Sequence, residues 1–231
     1  MEIITKIIFK LIHRKSNLYI RYLKKKGVAI GKNCKMLDPS TCIIDVTRPS
    51  LVTIGDDVFI NRNFTLLTHD YVSGVFIHCR KDFLPSSGKV TIGNNVNFGY
   101  NVMVLKGVTI GDNVFIGAGS IVTKDIPSNC VATGYPCRVI RTLDEYFEKR
   151  KTKCIDEAFE YARSIRERLG RMPVPADFWE EFPLFVSGDE IDDYPEIPIE
   201  SQLGPTYISY RDNHRALFKS FEEFLEKAEV K

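Results

Sequence analysis

The chain has 231 residues, of which 44% are hydrophobic and 27% charged, so it is long enough to bury a core without disulfide staples and too apolar for wholesale disorder. Thirty-two Lys and Arg against thirty Asp and Glu leave a net charge of +2, which argues against a nucleic-acid binder. That charge is segregated, with +7 over residues 1–26, +2 over 27–140 and −7 over 141–231, and these three balances mark three organisational units.

Residues 3–25 are expected to form an amphipathic helix, with Ile4, Ile7, Ile8, Leu11 and Ile12 on one face. Lys24-Lys25-Lys26-Gly27 should end it, with cations in the last turn and a glycine beyond. Lysines interrupt the opening apolar run, and no run reaches the roughly 18 residues that a membrane span needs. Neither a clean signal sequence nor a cleavage site is read there, and the expected location is the cytoplasm.

A period of six follows over residues 27–141. Stepping by six from Ile30 gives Met36, Cys42, Arg48, Ile54, Ile60 and Leu66; from Ile92 it gives Phe98, Val104, Ile110, Ile116 and Val122. Only Arg48 is not apolar. Small or β-branched residues recur four positions after these anchors, among them Cys34, Val58, Val96, Val102, Val108, Val114 and Ser120. A helix would repeat at 3.6 residues and a hairpin sheet at two, so this spacing means very short strands joined by sharp corners. Gly or Asn after an anchor tolerates the positive φ that such corners require. Three hexads make one triangular coil, and about four coils stack to supply a core that none buries alone.

The phase breaks once. Leu66 to Ile92 is 26 residues, so residues 68–89 leave the coil as a loop. Loops of that length in a regular scaffold are functional or disordered, and this one holds His69 and His78, two of the four histidines. Beyond the coil, residues 142–231 form a helical extension. Thr142 and Glu145 make a capping box for a long helix to about Leu169, stopped by Gly170 and Pro173. Its apolar positions are Phe147, Cys154, Ala158, Tyr161, Ile165 and Leu169. Residues 171–213 are acidic and proline-rich, with one short helix near residues 178–182. A last helix is expected from about Ser220 to Ala228, with Ser220 and Glu223 as its capping box.

The six cysteines show no C-x-x-C spacing, so no zinc ribbon or thioredoxin motif is indicated, and buried thiols in a reducing compartment are expected. His69, Asp70, His78 and Cys79 share the loop, but their spacing matches no zinc pattern and no metal is expected. His13 and His214 read as packing or surface residues.

The densest hexads are Val90-Thr91-Ile92-Gly93-Asn94-Asn95-Val96, Gly107-Val108-Thr109-Ile110-Gly111-Asp112-Asn113 and Ile116-Gly117-Ala118-Gly119-Ser120-Ile121-Val122-Thr123-Lys124-Asp125-Ile126-Pro127. They close in Gly134-Tyr135-Pro136-Cys137-Arg138-Val139-Ile140. This run resembles the hexapeptide-repeat acyltransferases, and most of all their sugar and polysaccharide O-acetyltransferases. The resemblance implies a mainly β fold, a left-handed parallel β-helix, with acetyl-CoA as co-substrate, a sugar acceptor and a homotrimer with sites between neighbouring coils. It implies His69, at the start of the loop, as general base. Two positions depart from the family pattern: Tyr100, where one branch has a serine near the thioester, and Lys106, where relatives often carry proline.

A sugar hydroxyl must lose a proton as it attacks a thioester carbonyl, and imidazole suits that task at neutral pH. A carboxylate on the other ring nitrogen would fix the tautomer, and both Asp45 and Asp70 are candidates. The resemblance places pantetheine beside Gly99, Gly117, Ala118 and Ser120, and its phosphates near Lys124 and Arg138. The basic N-terminal helix has two readings: it caps the open end of the first coil, or residues 1–26 make a weak contact with an anionic membrane surface. An N-acyltransferase acting on an amine and a non-catalytic β-helix scaffold stand as alternative functions.

Overall fold

The computed structural model describes residues 15–230. Twelve strands of two or three residues sort into three parallel sheets. The first stacks β1 (Ala29–Ile30), β4 (Val52–Ile54), β7 (Val90–Ile92) and β10 (Thr109–Ile110). The second stacks β2 (Lys35–Met36), β5 (Phe59–Ile60), β8 (Val96–Phe98) and β11 (Val114–Ile116). The third stacks β3 (Ile43–Ile44), β6 (Thr65–Leu66), β9 (Met103–Val104) and β12 (Ile121–Val122). Among these twelve, consecutive strands do not pair with each other, so the chain winds through all three sheets once per turn. Register keeps anchor on anchor: Ile54 faces Ile92, Ile60 faces Phe98 and Leu66 faces Val104. These anchors and the residues two before them, such as Val58, Phe64, Val96 and Val102, form one buried cluster. Each such side chain contributes about 1.5–3 kcal/mol by leaving water.

The corners differ from expectation in one respect. The glycines directly after the anchors have ordinary negative φ; what they supply is room. A Cβ on Gly93 would lie 2.7 Å from the backbone of Gly111 in the next coil. Positive φ falls two residues later, on Asn33, Asp57, Asn95, Asn113 and Asn129 at one corner and on Asn63 and Asn101 at another. Asn and Asp carry the left-handed conformation at lower cost than other side chains. Their side chains also bond from coil to coil: Asn95 Nδ2 donates to Asn113 Oδ1 at 2.9 Å, and Asn113 Nδ2 to Asn129 Oδ1 at 2.9 Å. The corners therefore form rails of amides along the coil axis.

The first coil breaks the hexad. Ile44, not Cys42, is the buried residue that pairs with Leu66, and Cys42 takes the place equivalent to Phe64. Arg48 is no anchor but precedes a 3-10 turn, Pro49–Leu51. Turns at Pro39–Thr41 and Pro49–Leu51 add residues in amounts that restore the multiple of six, which is why the step appeared unbroken. The amino-terminal helix is also shorter than expected. It starts at Ser16, because Lys15 is extended (φ −128, ψ 127), so no single helix covers 3–25. Gly27 ends it in the left-handed conformation with φ 108. Tyr19 and Leu23 are buried in the same cluster as Val28 and Met36, so Ser16–Lys26 covers the first coil. The apolar face Ile4–Ile12 and His13 lie outside the described residues.

At the other end a partial fifth coil forms through Ile126, bridged to Ile110, and β13 (Cys130–Thr133), parallel to β11. β14 (Arg138–Thr142) then reverses and pairs antiparallel with β13. The chain divides into two compact units, one ending at Tyr146 and the other beginning at Phe147. The capping box at Thr142 and Glu145 forms as read, and the helix runs Leu143–Leu169. In the second unit Ala158, Ala162 and Ile165 are buried against Phe178, Phe182, Phe185, Phe221 and Phe224. Phe147 and Leu169 are exposed, so the expected apolar stripe is used only in its middle. Residues 171–213 form 3-10 turns, including Pro175–Phe178 and Phe182–Leu184, and short helices Ile199–Leu203 and Tyr207–Asn213, rather than one helix near 178–182. The last helix spans Phe221–Lys227 with Ser220 Oγ accepting from the Glu223 amide. Glu223 itself accepts from the Lys219 amide.

Candidate active site

The loop 68–89 leaves the third sheet where three coils line up. Asp45 follows β3 and donates its amide to Leu66 O at 3.0 Å, which sets it beside the start of the loop in the coil above. The Leu67 amide in turn donates to Val104 O, and Lys106 follows β9 in the third coil. Strand register thus gathers Asp45, His69 and Lys106 from three successive coils.

His69 Nδ1 lies 2.7 Å from Asp45 Oδ2, and the two side chains are only 14% and 5% exposed. Asp45 accepts four further hydrogen bonds. Thr47 donates its amide at 2.9 Å and its hydroxyl at 2.7 Å to Oδ1; Thr68 donates its amide at 3.1 Å and its hydroxyl to Oδ2. Burial alone would raise the Asp45 carboxyl, but the bonds from Thr68, Thr47 and His69 outweigh it and hold the group well below the usual range. Asp45 is therefore ionised and accepts the Nδ1 proton, so Nε2 is the ring nitrogen that faces away from the carboxylate. Among the described residues no hydrogen bond reaches Nε2.

Asp70, the other candidate for orienting His69, does not face the ring. Its carboxylate lies 2.7 Å from Lys106 Nζ and accepts from Ser86 Oγ at 3.0 Å and the Val72 amide at 3.1 Å. The bond from Lys106 is the main cause that lowers its pKa to about 2. Lys106 also bonds Ser86 Oγ. Together with the Gly88 amide on Thr68 O at 2.8 Å and a bridge between His69 and Ser87, these contacts close the loop at its neck. The distal part carries a helix, Ser73–Arg80, which the sequence reading lacked, with His78 and Cys79 exposed on it. No group of metal-ligating side chains forms among the described residues. His214 stacks on Tyr210 in the second unit at 4.2 Å.

The expected cofactor positions lie on the later coils. Gly99 and Gly117 commit their amides to Ile116 O and Ala132 O, both at 2.8 Å, and a Cβ on either would meet the next coil, at Ala118 and Thr133 respectively. Ser120 is fully buried; its hydroxyl donates to Gly117 O at 2.5 Å and accepts the Gly134 amide at 3.1 Å. Its side chain therefore braces the coil. Ala118, Lys124, Arg138 and Tyr100 are exposed. Sequence reasoning named Asp45 and His69 but missed Thr47 and Thr68. Their only signal was proximity to those two residues, as Thr-His and Asp-x-Thr are too common to stand out.

A family model described as bacterial transferase hexapeptide (six repeats) matches residues 89–124. Galactoside O-acetyltransferase of Escherichia coli K12 is 47% identical over 134 residues, which is 55% of this chain and 62% of that protein. Protein CapG of Staphylococcus aureus is 36% identical over 161 residues, 69% of this chain and 88% of that protein. A solved structure of a maltose O-acetyltransferase from Clostridium difficile 630 is 30% identical and matches 59% of this chain and 83% of its own, with a TM-score of 0.42. The match thus spans less than two thirds of galactoside O-acetyltransferase. The stacked hexads, the family-model match and the 36% identity to CapG over 88% of its length show that the chain belongs to the hexapeptide-repeat acyltransferase family. Its coil is accordingly the left-handed parallel β-helix.

Proposed function

We propose that the protein is an acetyl-CoA-dependent O-acetyltransferase acting on a hydroxyl of a sugar or surface polysaccharide. The observation that carries this reading is the buried Asp45–His69 pair at 2.7 Å, which fixes the imidazole with Nε2 as acceptor. On this reading Nε2 removes the acceptor hydroxyl proton as its oxygen attacks the thioester carbonyl, and the coenzyme thiolate leaves. Asp45 holds the tautomer and stabilises the imidazolium formed. Asp70 serves through Lys106, by fastening the loop that starts at the base. The names of the relatives, a galactoside O-acetyltransferase and a protein called CapG, support a glycan acceptor.

Acetyl-CoA lies on the surface around Gly99, Gly117 and Ala118, with Lys124 and Arg138 meeting its phosphates. The active unit is a homotrimer in the cytoplasm. The lysine-rich end of Ser16–Lys26 faces outward and gives residues 1–26 a weak affinity for an anionic membrane surface.

The test is turnover. His69→Ala lowers kcat by about 10²–10⁴-fold, the usual contribution of a general base, while acetyl-CoA affinity stays near wild type. His69→Asn fares no better, because an amide cannot take the proton. His78→Ala retains activity, since that residue is exposed on the distal helix. Normal turnover in His69→Ala sinks the proposal, and transfer to amino groups alone makes the enzyme an N-acyltransferase.

A further inference from the structure

Two residues beyond the base, Tyr71 is 83% exposed. Its ring stands edge-on to that of His69, with centroids 5.1 Å apart and planes at 71°. An aromatic ring left in water is ordinary on a mobile tip, but this one is held on both sides. Asp70 before it is fastened to Lys106 and Ser86, and the Val72 amide after it donates to Asp70 Oδ1 at 3.1 Å. The carbonyl of Tyr71 accepts the Gly74 amide at 3.0 Å, which opens the distal helix. The backbone is fixed while the ring, open to solvent, meets the imidazole edge-on. That is the form of a platform rather than of a core residue.

We infer that Tyr71 is the acceptor platform, on whose face the apolar C–H side of a pyranose ring lies beside His69. The inference rests on the function proposed above and specifies how the acceptor is held. A pyranose has one or both faces lined with C–H groups, and its hydroxyls project from the rim. Stacked on a flat ring it buries apolar area, and the hydroxyls stay free for polar partners. A sugar lying on Tyr71 therefore directs a rim hydroxyl sideways, toward the histidine that borders the platform. The phenol hydroxyl is not needed for this, so phenylalanine should replace tyrosine. Nothing in stacking requires one particular sugar, which leaves selection among hydroxyls to other groups around the site.

The experiment uses the full chain with acetyl-CoA, and 4-nitrophenyl β-galactopyranoside and maltose as acceptor probes. Acceptor KM and kcat are measured for wild type, Tyr71→Phe and Tyr71→Ala. Sugar binding is followed separately by saturation-transfer NMR on the C–H protons. The expected result is a rise of about tenfold or more in acceptor KM for Tyr71→Ala, with kcat and the acetyl-CoA KM little changed. The C–H saturation signal is lost in that variant, and both properties are restored in Tyr71→Phe. Equal acceptor KM in wild type and Tyr71→Ala overturns the platform while leaving the transferase reading intact. A fall in kcat without a rise in KM also overturns it, because Tyr71 then only shapes His69. Sugar binding that depends on Tyr71 without acetyl transfer supports the platform and overturns the transferase reading. Neither binding nor transfer by the wild type overturns both. If Tyr71→Ala fails to fold, Tyr71→Leu, which is apolar but not flat, gives the same comparison. A Tyr71 covered by a second copy of the chain is recognised by weakened self-association in Tyr71→Ala without loss of sugar binding, and that result overturns the platform.

Discussion

Asp45 accepts five hydrogen bonds, although only one comes from the imidazole it orients. The other four hold the carboxylate rigid, two of them from Thr47 after the first-coil strand and two from Thr68 beside the ring. Asp45→Asn keeps the shape but loses the charge and acceptor capacity on one side. It should lower kcat by about 10²–10⁴-fold, because an amide can hold the ring in the wrong tautomer, with the acetyl-CoA KM unchanged. The carboxyl also couples stability to pH. Because its folded pKa is depressed, the stability it adds is complete above the ordinary aspartate value of about 3.9 and is lost as pH falls below that toward the folded value. In urea unfolding, the stability gap between wild type and Asp45→Asn should narrow as pH falls from 7 to 2. A gap that stays constant over that range contradicts the assignment.

At the scale of a coil, the glycine after an anchor and the asparagine two residues beyond it have different tasks. Gly93→Ala should cost about 1–3 kcal/mol by overpacking, because its Cβ meets the backbone of the coil above at 2.7 Å. Gly74→Ala, in the distal helix with nothing within 4 Å, should be neutral or stabilise by up to about 1 kcal/mol. Thermal unfolding of both variants separates the two cases; equal losses would mean that close approach is not the reason for Gly93. The hexad rule was legible because an inward side chain every six residues is a direct consequence of triangular stacking. Ile54 through Leu66 and Ile92 through Val122 therefore fell where expected. Cys42 and Arg48 did not, because the 3-10 turns of the first coil restore the count after breaking it, and a count cannot reveal insertions that add up to its own period. The partner of His69 was legible only as a choice between Asp45 and Asp70. Proximity in sequence favoured neither, and the decision came from cross-coil register. The helix Ser73–Arg80 was hidden because it buries no residue of its own and so leaves no periodic apolar face.

For the whole molecule, the third sheet presents Ile43, Thr65, Met103 and Ile121 outward in register, and Ile43 is 60% exposed. A largely apolar column, broken only by Thr65, favours association with further copies of the chain. Light scattering at micromolar concentration should give three times the chain mass of 26.4 kDa. A monomer there would remove the trimer and any site shared between coils. The neck of the loop has a separate consequence for how such a protein can change. Thr68 and Gly88 are bonded to each other, so the chain re-enters the coil where it left. Residues gained or lost between Tyr71 and Pro85 displace nothing above or below, and lengthening a closed loop adds little entropy cost. One residue gained within a strand would instead turn the side chains after it from the inside to the outside. Variation is thereby channelled into one exchangeable cartridge on a fixed rack, where the loop can change without retesting the fold.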